Sequence, residues 1–335
     1  MPKEFYMVVV YVMFCLIAIV GVILGIKLVQ LIKGNKQVEK ELAGLQFEKL
    51  PMGTVKTLSI LPLVEFYADD PSLKTEAGVS YFIQAGDTKI LMDLGFNKDK
   101  AHPSPLVSNA EKLKVSLPDL DFIFISHRHL DHIGGMKEQK NKQFSLSQGK
   151  THLPQITVYS PTRISPSHWN PGPEVQVINT PFELVKGVAS IGSIPRNLFV
   201  LGHTLENSLA VNVAGKGIVL IIGCGHQTIE RIIERARALF DEPIYGIIGG
   251  LHFPVKTGRI MLGPLNIQNI VGTHRFPWQG IREQDVKNAI QAIKQVNPQF
   301  VALSPHDSSD WSIELFRAAF QDKYHDIKVG QKISI

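Results

Sequence analysis

Hydrophobic and polar positions divide the chain into three regimes. The first is Phe5 to Ile26, FYMVVVYVMFCLIAIVGVILGI, 22 residues without a charge. At about 1.5 Å per residue such a run spans roughly 30 Å, the thickness of a bilayer's hydrocarbon core. No polar face interrupts it, as the helix of a soluble core would require. The run is too long for the apolar part of a cleaved signal peptide, and no A-x-A-like site follows. Cys15 lacks the small residues expected before a lipid-modified cysteine. The pattern therefore predicts a short tail at residues 1–4 and one transmembrane anchor over 5–32.

The second regime, KLVQLIKGNKQVEKELAGLQFEKL, combines helical spacing with mixed charge. It reads as a juxtamembrane helix or stalk, with a linker region over 33–54. Lys27, Lys33, Lys36 and Lys40 follow the span, against Lys3 before it, which favours a cytoplasmic position for the rest of the chain. Glu39, Glu41 and the free amine of the N-terminus reduce that asymmetry.

The third regime, residues 55–335, is a single domain of short apolar runs. TVKTLSILPLVEF, GVSYFIQ, TKILMDLG and DFIFIS read as strands, the second and third joined by the turn Ala85-Gly86-Asp87. ITVYS, VQVINT, LVKGVASIG, NLFVLG, SLAVNV and GIVLIIG follow, with a hairpin turn at Ala214 to Gly217. The rhythm then alternates between the helices QTIERIIERARALF, IREQDVKNAIQAIKQV and WSIELFRAAF and the strands IYGIIGG and QFVALS. Polar insertions at about 134–155 and 253–280 have the length of loops that cover a site. The class expected is α/β (α+β), with layered sheets flanked by helices.

Composition removes several functions. A net charge of +5 is spread along the chain, without the basic block of a nucleic-acid arm. Two cysteines, Cys15 and Cys224, cannot make a disulfide framework. No Walker loop, dinucleotide fingerprint or GxSxG elbow is present.

Chemistry concentrates at His127-Arg128-His129-Leu130-Asp131-His132, where three of the twelve histidines fall within six residues. The run starts where the buried strand DFIFIS stops and ends at Gly134-Gly135, a rigid platform with a tight exit. His127 and His129, two apart, point to one side in extended geometry, and Asp131 and His132 follow as the chain turns. Imidazole and carboxylate together suit zinc, and also manganese or iron.

His-x-His-x-Asp-His after a buried strand resembles the signature of the metallo-β-lactamase-fold hydrolases, and Asp93 in LMDLG resembles the acid that orients a ligand from behind. The resemblance implies an αββα sandwich with two divalent ions, one held by His127, His129 and a later histidine, the other by Asp131, His132 and His306. It brings in later ligand candidates: His226 and His306 at strand ends, and His203, His252 and Cys224 beside them. Cys224 also reads as a small packing residue. His203 in LGHTLENS resembles the family's Gly-His-Thr element. Where the family has a bridging aspartate, this chain has Gly223-Cys224-Gly225-His226. That element, with Gly249-Gly250-Leu251-His252 and with Glu76 and Ser80, resembles the dihydropterin-ribofuranosylaminobenzene phosphate synthase-like subgroup. Gly225 replaces the serine more usual there.

The implied function is a membrane-anchored hydrolase with Asp131 handling protons and a small anionic ester as substrate. A pterin-related synthase and a non-catalytic metal-binding scaffold are the alternatives. Arg259, Arg275 and Lys256 are candidates for meeting an anionic group, and they equally suit a solvated loop. His102, His152, His168, His274 and His325 read as surface residues, with His274 able to line a substrate loop.

Overall fold

A computed structural model describes residues 3–335. Its first element is one helix, Lys3–Ala43. Over Phe5–Ile26 the apolar side chains are almost all exposed, because no protein layer covers them. Among the described residues this is the one helix long and apolar enough to cross a membrane. From Lys27 onward the domain begins to cover the same helix. Leu31 and Val38, seven apart and so on one face, are buried.

The expected stalk is therefore not a free spacer. After Ala43 the chain continues over the domain surface, where Phe47, Leu50 and Met52 pack, with Leu42 of the helix, against a core cluster. The Arg235 guanidinium lies 3.7 Å from the centre of the Phe47 ring.

Two sheets form the middle of the domain. The larger has the order Ile333–Ser334, Leu58–Val64, Ser80–Ala85, Thr88–Met92, Phe122–Phe124, Thr157–Ser160 and Glu174–Val177. Its first pairings are antiparallel, and those from Thr88–Met92 onward are parallel. The second runs Phe300–Leu303, Ile244–Gly249, Gly217–Ile222, Leu209–Val213, Val188–Ser190 and Phe182–Val185. Its first three strands are mutually parallel.

The alternation of side chains explains the layering. On Gly217–Ile222, Ile218, Leu220 and Ile222 face the helices Ile229–Leu239 and Glu283–Val296. Val219 and Ile221 face the other sheet, among Ile60, Tyr81 and Phe124. Both faces are apolar, so the strand reads as an unbroken hydrophobic run. A third cluster, with Leu91, Ile123, Leu106 and Ala110, seats the helix Pro105–Lys112 on the outside of the larger sheet. The architecture is the αββα sandwich.

Two local expectations are corrected. NLFVLG is not a strand: Ile194–Leu198 and Gly202–Glu206 pair as a hairpin whose turn is Phe199 to Leu201. Gly202, at φ +73°, begins the return strand. The helix Pro105–Lys112 was not expected, since its apolar spacing at Leu106 and Ala110 extends over only eight residues. Its signal is local, with the Ser104 Oγ accepting from the Val107 N–H at 3.2 Å and Pro105 in the first turn.

Candidate metal centre

Every group at the centre follows the carboxyl end of a parallel strand, the edge where open α/β sheets place their ligands. Asp93 follows Thr88–Met92, and His127, His129, Asp131 and His132 follow Phe122–Phe124. In the second sheet, Cys224 and His226 follow Gly217–Ile222, His252 follows Ile244–Gly249, and His306 follows Phe300–Leu303.

The side chains meet in three overlapping groups, with ligand atoms within 4.8 Å of one another in each. One is His127, His129 and His226; the second is Asp131, His132, Cys224 and His306; the third is Cys224, His226 and His252. In the first, His129 Nδ1 lies 3.2 Å from His226 Nε2. In the second, the Cys224 Sγ lies 3.0 Å from His132 Nε2, 3.3 Å from His306 Nε2 and 4.0 Å from Asp131 Oδ2. Cys224 thus stands among donors, not merely in the core.

The outer atoms of these rings are fixed from behind. His132 Nδ1 meets Asp93 Oδ2 at 2.7 Å, and Asp93 also accepts from the Ser126 N–H and hydroxyl. His306 Nδ1 meets the Ser304 Oγ at 2.5 Å, and Ser304 donates to Glu65. Glu65 is fully buried and accepts from the Tyr81 hydroxyl at 2.7 Å. Such partners set the tautomer and leave the other nitrogen free to bind.

The loop carrying Cys224 and His226 is held by Glu206. Its carboxylate accepts the N–H groups of Cys224, Gly225 and His226 at 2.9, 2.7 and 2.9 Å. Asp307 does the same for the neighbouring loop, accepting the His252 N–H at 2.8 Å. Gly225 has φ +68°, and a Cβ there would stand 2.6 Å from the Gly250 carbonyl oxygen. Positive φ and this crowding favour glycine at the position.

Electrostatics follow from burial. Desolvation, helped by neighbouring histidines, holds His127 and His226 well below the usual imidazole value, and puts His129 at about 3 and His252 at about 4. Neutral imidazoles keep the lone pair a metal needs. Burial also opposes the cationic form of His306, but Asp307, Glu65 and Asp131 outweigh it and carry it to about 9. For Glu206 burial wins over three N–H donors and raises it to about 7.

These residues fit a metal. His127 Nε2, His226 Nδ1 and His252 Nδ1 are buried without a hydrogen-bond partner, although such atoms are costly to leave unpaired. The donor set of imidazole, carboxylate and thiol sulfur is one that divalent transition ions accept.

Other expected residues fall elsewhere. His203 lies outside the cluster: its Nε2 meets Glu41 of the N-terminal helix at 2.9 Å, on a half-exposed surface. The hairpin residue that serves the centre is Glu206, three positions on. His274 is not a surface residue, for it lines the cavity beside His226 and His252. Arg259 pairs with Asp310, Arg275 with Asp285 and Lys256 with Glu283, so all three have protein partners. Glu76 accepts the Phe96 and Asn97 N–H groups, and Ser80 donates to the Asp93 carbonyl, so both brace the chain around Asp93. Glu65, Glu206 and Asp307 were not singled out from the sequence. Glu65 and Glu206 stand at or just beyond strand ends with nothing beside them to mark a role, while Asp307 directly follows the candidate ligand His306.

Fold and centre together define a metallohydrolase-type sandwich. The chain belongs to the metallo-beta-lactamase superfamily, whose profile matches residues 73–242. It is similar to the 7,8-dihydropterin-6-methyl-4-(beta-D-ribofuranosyl)-aminobenzene-5'-phosphate synthase of Methanocaldococcus jannaschii, at 21% identity over 243 residues, 60% of this chain and 79% of that protein. Among solved structures it resembles Tm1679, a metal-dependent hydrolase of the beta-lactamase superfamily, with a TM-score of 0.54 and 19% identity, covering 83% of this chain and 99% of that one. YhfI of Bacillus subtilis, a metallo-beta-lactamase fold protein, aligns over 82% of this chain and 99% of its own at 13% identity and a TM-score of 0.48.

Proposed function

We propose that this chain is a membrane-anchored, metal-dependent hydrolase acting on an anionic ester of phosphoester type. The reading rests chiefly on one observation: Cys224 and His226 join two groups of donors, His127 with His129 and Asp131 with His132 and His306. In this reading each group holds one divalent ion, with zinc favoured and manganese or iron acceptable to the same donors. Such ions, when bound, act as Lewis acids and lower the pKa of a water to about 7.

The chain's own residues supply order and proton handling. Asp93, Glu65 and Glu206 fix the ligands, while Asp131, with its side chain 15% exposed, stands at the rim where a proton can enter or leave. Asp131→Asn should lower kcat by about 10²–10⁴-fold, the usual worth of a positioned acid or base. Unchanged turnover would remove Asp131 from this role. The direct test is metal content of the purified protein, then a screen of phosphoesters, lactones and thioesters. Metal without hydrolysis at any loading would favour a binding scaffold.

A second reading, carbon–nitrogen bond formation on a phosphorylated pterin-like substrate, is favoured by Gly-Cys-Gly-His and by the similarity to the synthase. A coupled product in place of a hydrolysed one tells the two apart. Anchoring through Phe5–Ile26 belongs to the same proposal, with the domain in the cytoplasm because lysines gather after the span. Protease accessibility in right-side-out and inverted vesicles tests it, and digestion only from outside would reverse the orientation.

A further inference from the structure

A cavity of about 460 Å³ adjoins the centre, with His226 and His252 in its lining. Its volume suits a small-molecule substrate. Its lining also includes Arg196, Arg231 and His274, together with the carboxylates Glu39, Glu230 and Asp285.

Arg196 is 8% exposed, and its guanidinium donates to His274 Nδ1 at 2.7 Å. Burial and the nearby Arg196, Arg275 and Arg231 hold His274 at about 3, so this partner is neutral. Among the described residues no carboxylate lies within 4.0 Å of Arg196, whereas Arg231 and Arg275 each have one. Glu39 and Glu230 favour the Arg196 charge only from beyond contact distance, and a buried guanidinium with no carboxylate in contact is costly. Arg231 is half-satisfied: Nη2 meets Glu39 Oε1 at 2.7 Å, while Nη1 is buried with no partner.

We infer that Arg196 and Arg231 form an anion subsite for a phosphomonoester group of the substrate, separate from the group bound at the metal centre. A phosphomonoester carries a charge of about −1.5 to −2 at neutral pH, matched by two guanidiniums whose forks bind its oxygens in pairs. Glu39 occupies part of this subsite until the ligand displaces it. The inference deepens the hydrolase reading by naming a substrate class, and it replaces Arg259, Arg275 and Lys256 as the anion partners.

The test is calorimetric binding of inorganic phosphate to the full-length protein as purified in detergent. Arg231→Gln should weaken binding at least tenfold, and Arg196→Lys, which keeps the charge but loses the fork, should weaken it less. Glu39→Gln should tighten it several-fold by releasing Arg231. Neither Arg231 nor Glu39 is fully buried, so their variants should fold, with circular dichroism as the check. A second arm displaces bound phosphate with glycerol phosphate in solution or with vesicles containing phosphatidic acid. Displacement by either supports the subsite and tells a soluble ligand from a lipid headgroup, and displacement by neither overturns it. Equal affinity in the wild type, Arg231→Gln and Glu39→Gln also overturns it, because phosphate held only by metal would ignore these residues. Phosphate binding without hydrolysis would defeat the hydrolase reading alone, and hydrolysis without these shifts would defeat the subsite alone.

Discussion

Glu206 shows most clearly how a single residue shapes the centre without occupying it. It accepts three successive N–H groups, from Cys224, Gly225 and His226, and so sets where the sulfur and the imidazole stand. Glu206→Gln keeps the volume but turns one acceptor oxygen into a donor. Partners of this kind typically carry about 10–100-fold in metal affinity. We expect Glu206→Gln to lose zinc to a chelator within that range while retaining its melting behaviour. Unaltered chelator competition would show that the loop is positioned without it. The His-x-His-x-Asp-His run was legible because four donors sit together in sequence. Glu206 and Glu65 were not, because these partners lie between 16 and 239 positions away, and only folding brings them in. His203 misled for the same reason: Gly-His-Thr marks the hairpin, but alternation along the strand sends His203 out and Glu206 in.

At the scale of elements, the order of strands and helices was legible because apolar alternation and helical spacing are local. The insertion at 253–280 was legible only as a loop. Its position depends on Arg275, whose guanidinium meets Asp285 at 2.6 and 2.7 Å, while Asp285 also accepts the Arg282 N–H at the start of the helix Glu283–Val296. Burial alone would raise Asp285, but Arg275 and the Arg282 N–H hold it below the usual carboxylate value. A carboxyl depressed in the folded state stabilises above its unfolded pKa of about 3.9, and that contribution fades as pH falls through the folded value. Asp285→Asn should therefore lower the melting temperature at pH 7 by about 2–4 °C, the shift expected for roughly 1 kcal/mol in a partly exposed pair. The difference should shrink below about pH 4. A constant difference from pH 7 to pH 3 would place the effect in packing instead.

Across the whole molecule, the N-terminal helix and the domain form one piece. The sequence showed a span and then a mixed-charge helix, but not that the helix would lie on the domain. That contact is made by Leu31 and Val38, by the Asn197 side chain donating to the Leu31 carbonyl, and by Arg231 with Glu39. Glu39 stands thirteen residues beyond Ile26, about 20 Å along the helix axis, so the cavity lies close to the end of the apolar run. A chain starting at Lys27 should fold, keep the cavity wall and no longer need detergent. A chain starting at Gly44 should expose the surface under Leu31 and Val38 and melt several degrees lower. Equal melting of the two would mean that the helix contributes no stability to the domain.

The central claim is a hydrolytic centre built from two groups of donors joined through Cys224 and His226. The most direct measurement is hydrolysis of a chromogenic phosphoester by chelator-stripped protein as zinc is returned. We expect no turnover without metal, recovery on addition, and a plateau at two ions per chain. Turnover that survives stripping, or protein that takes up no ion, would contradict it.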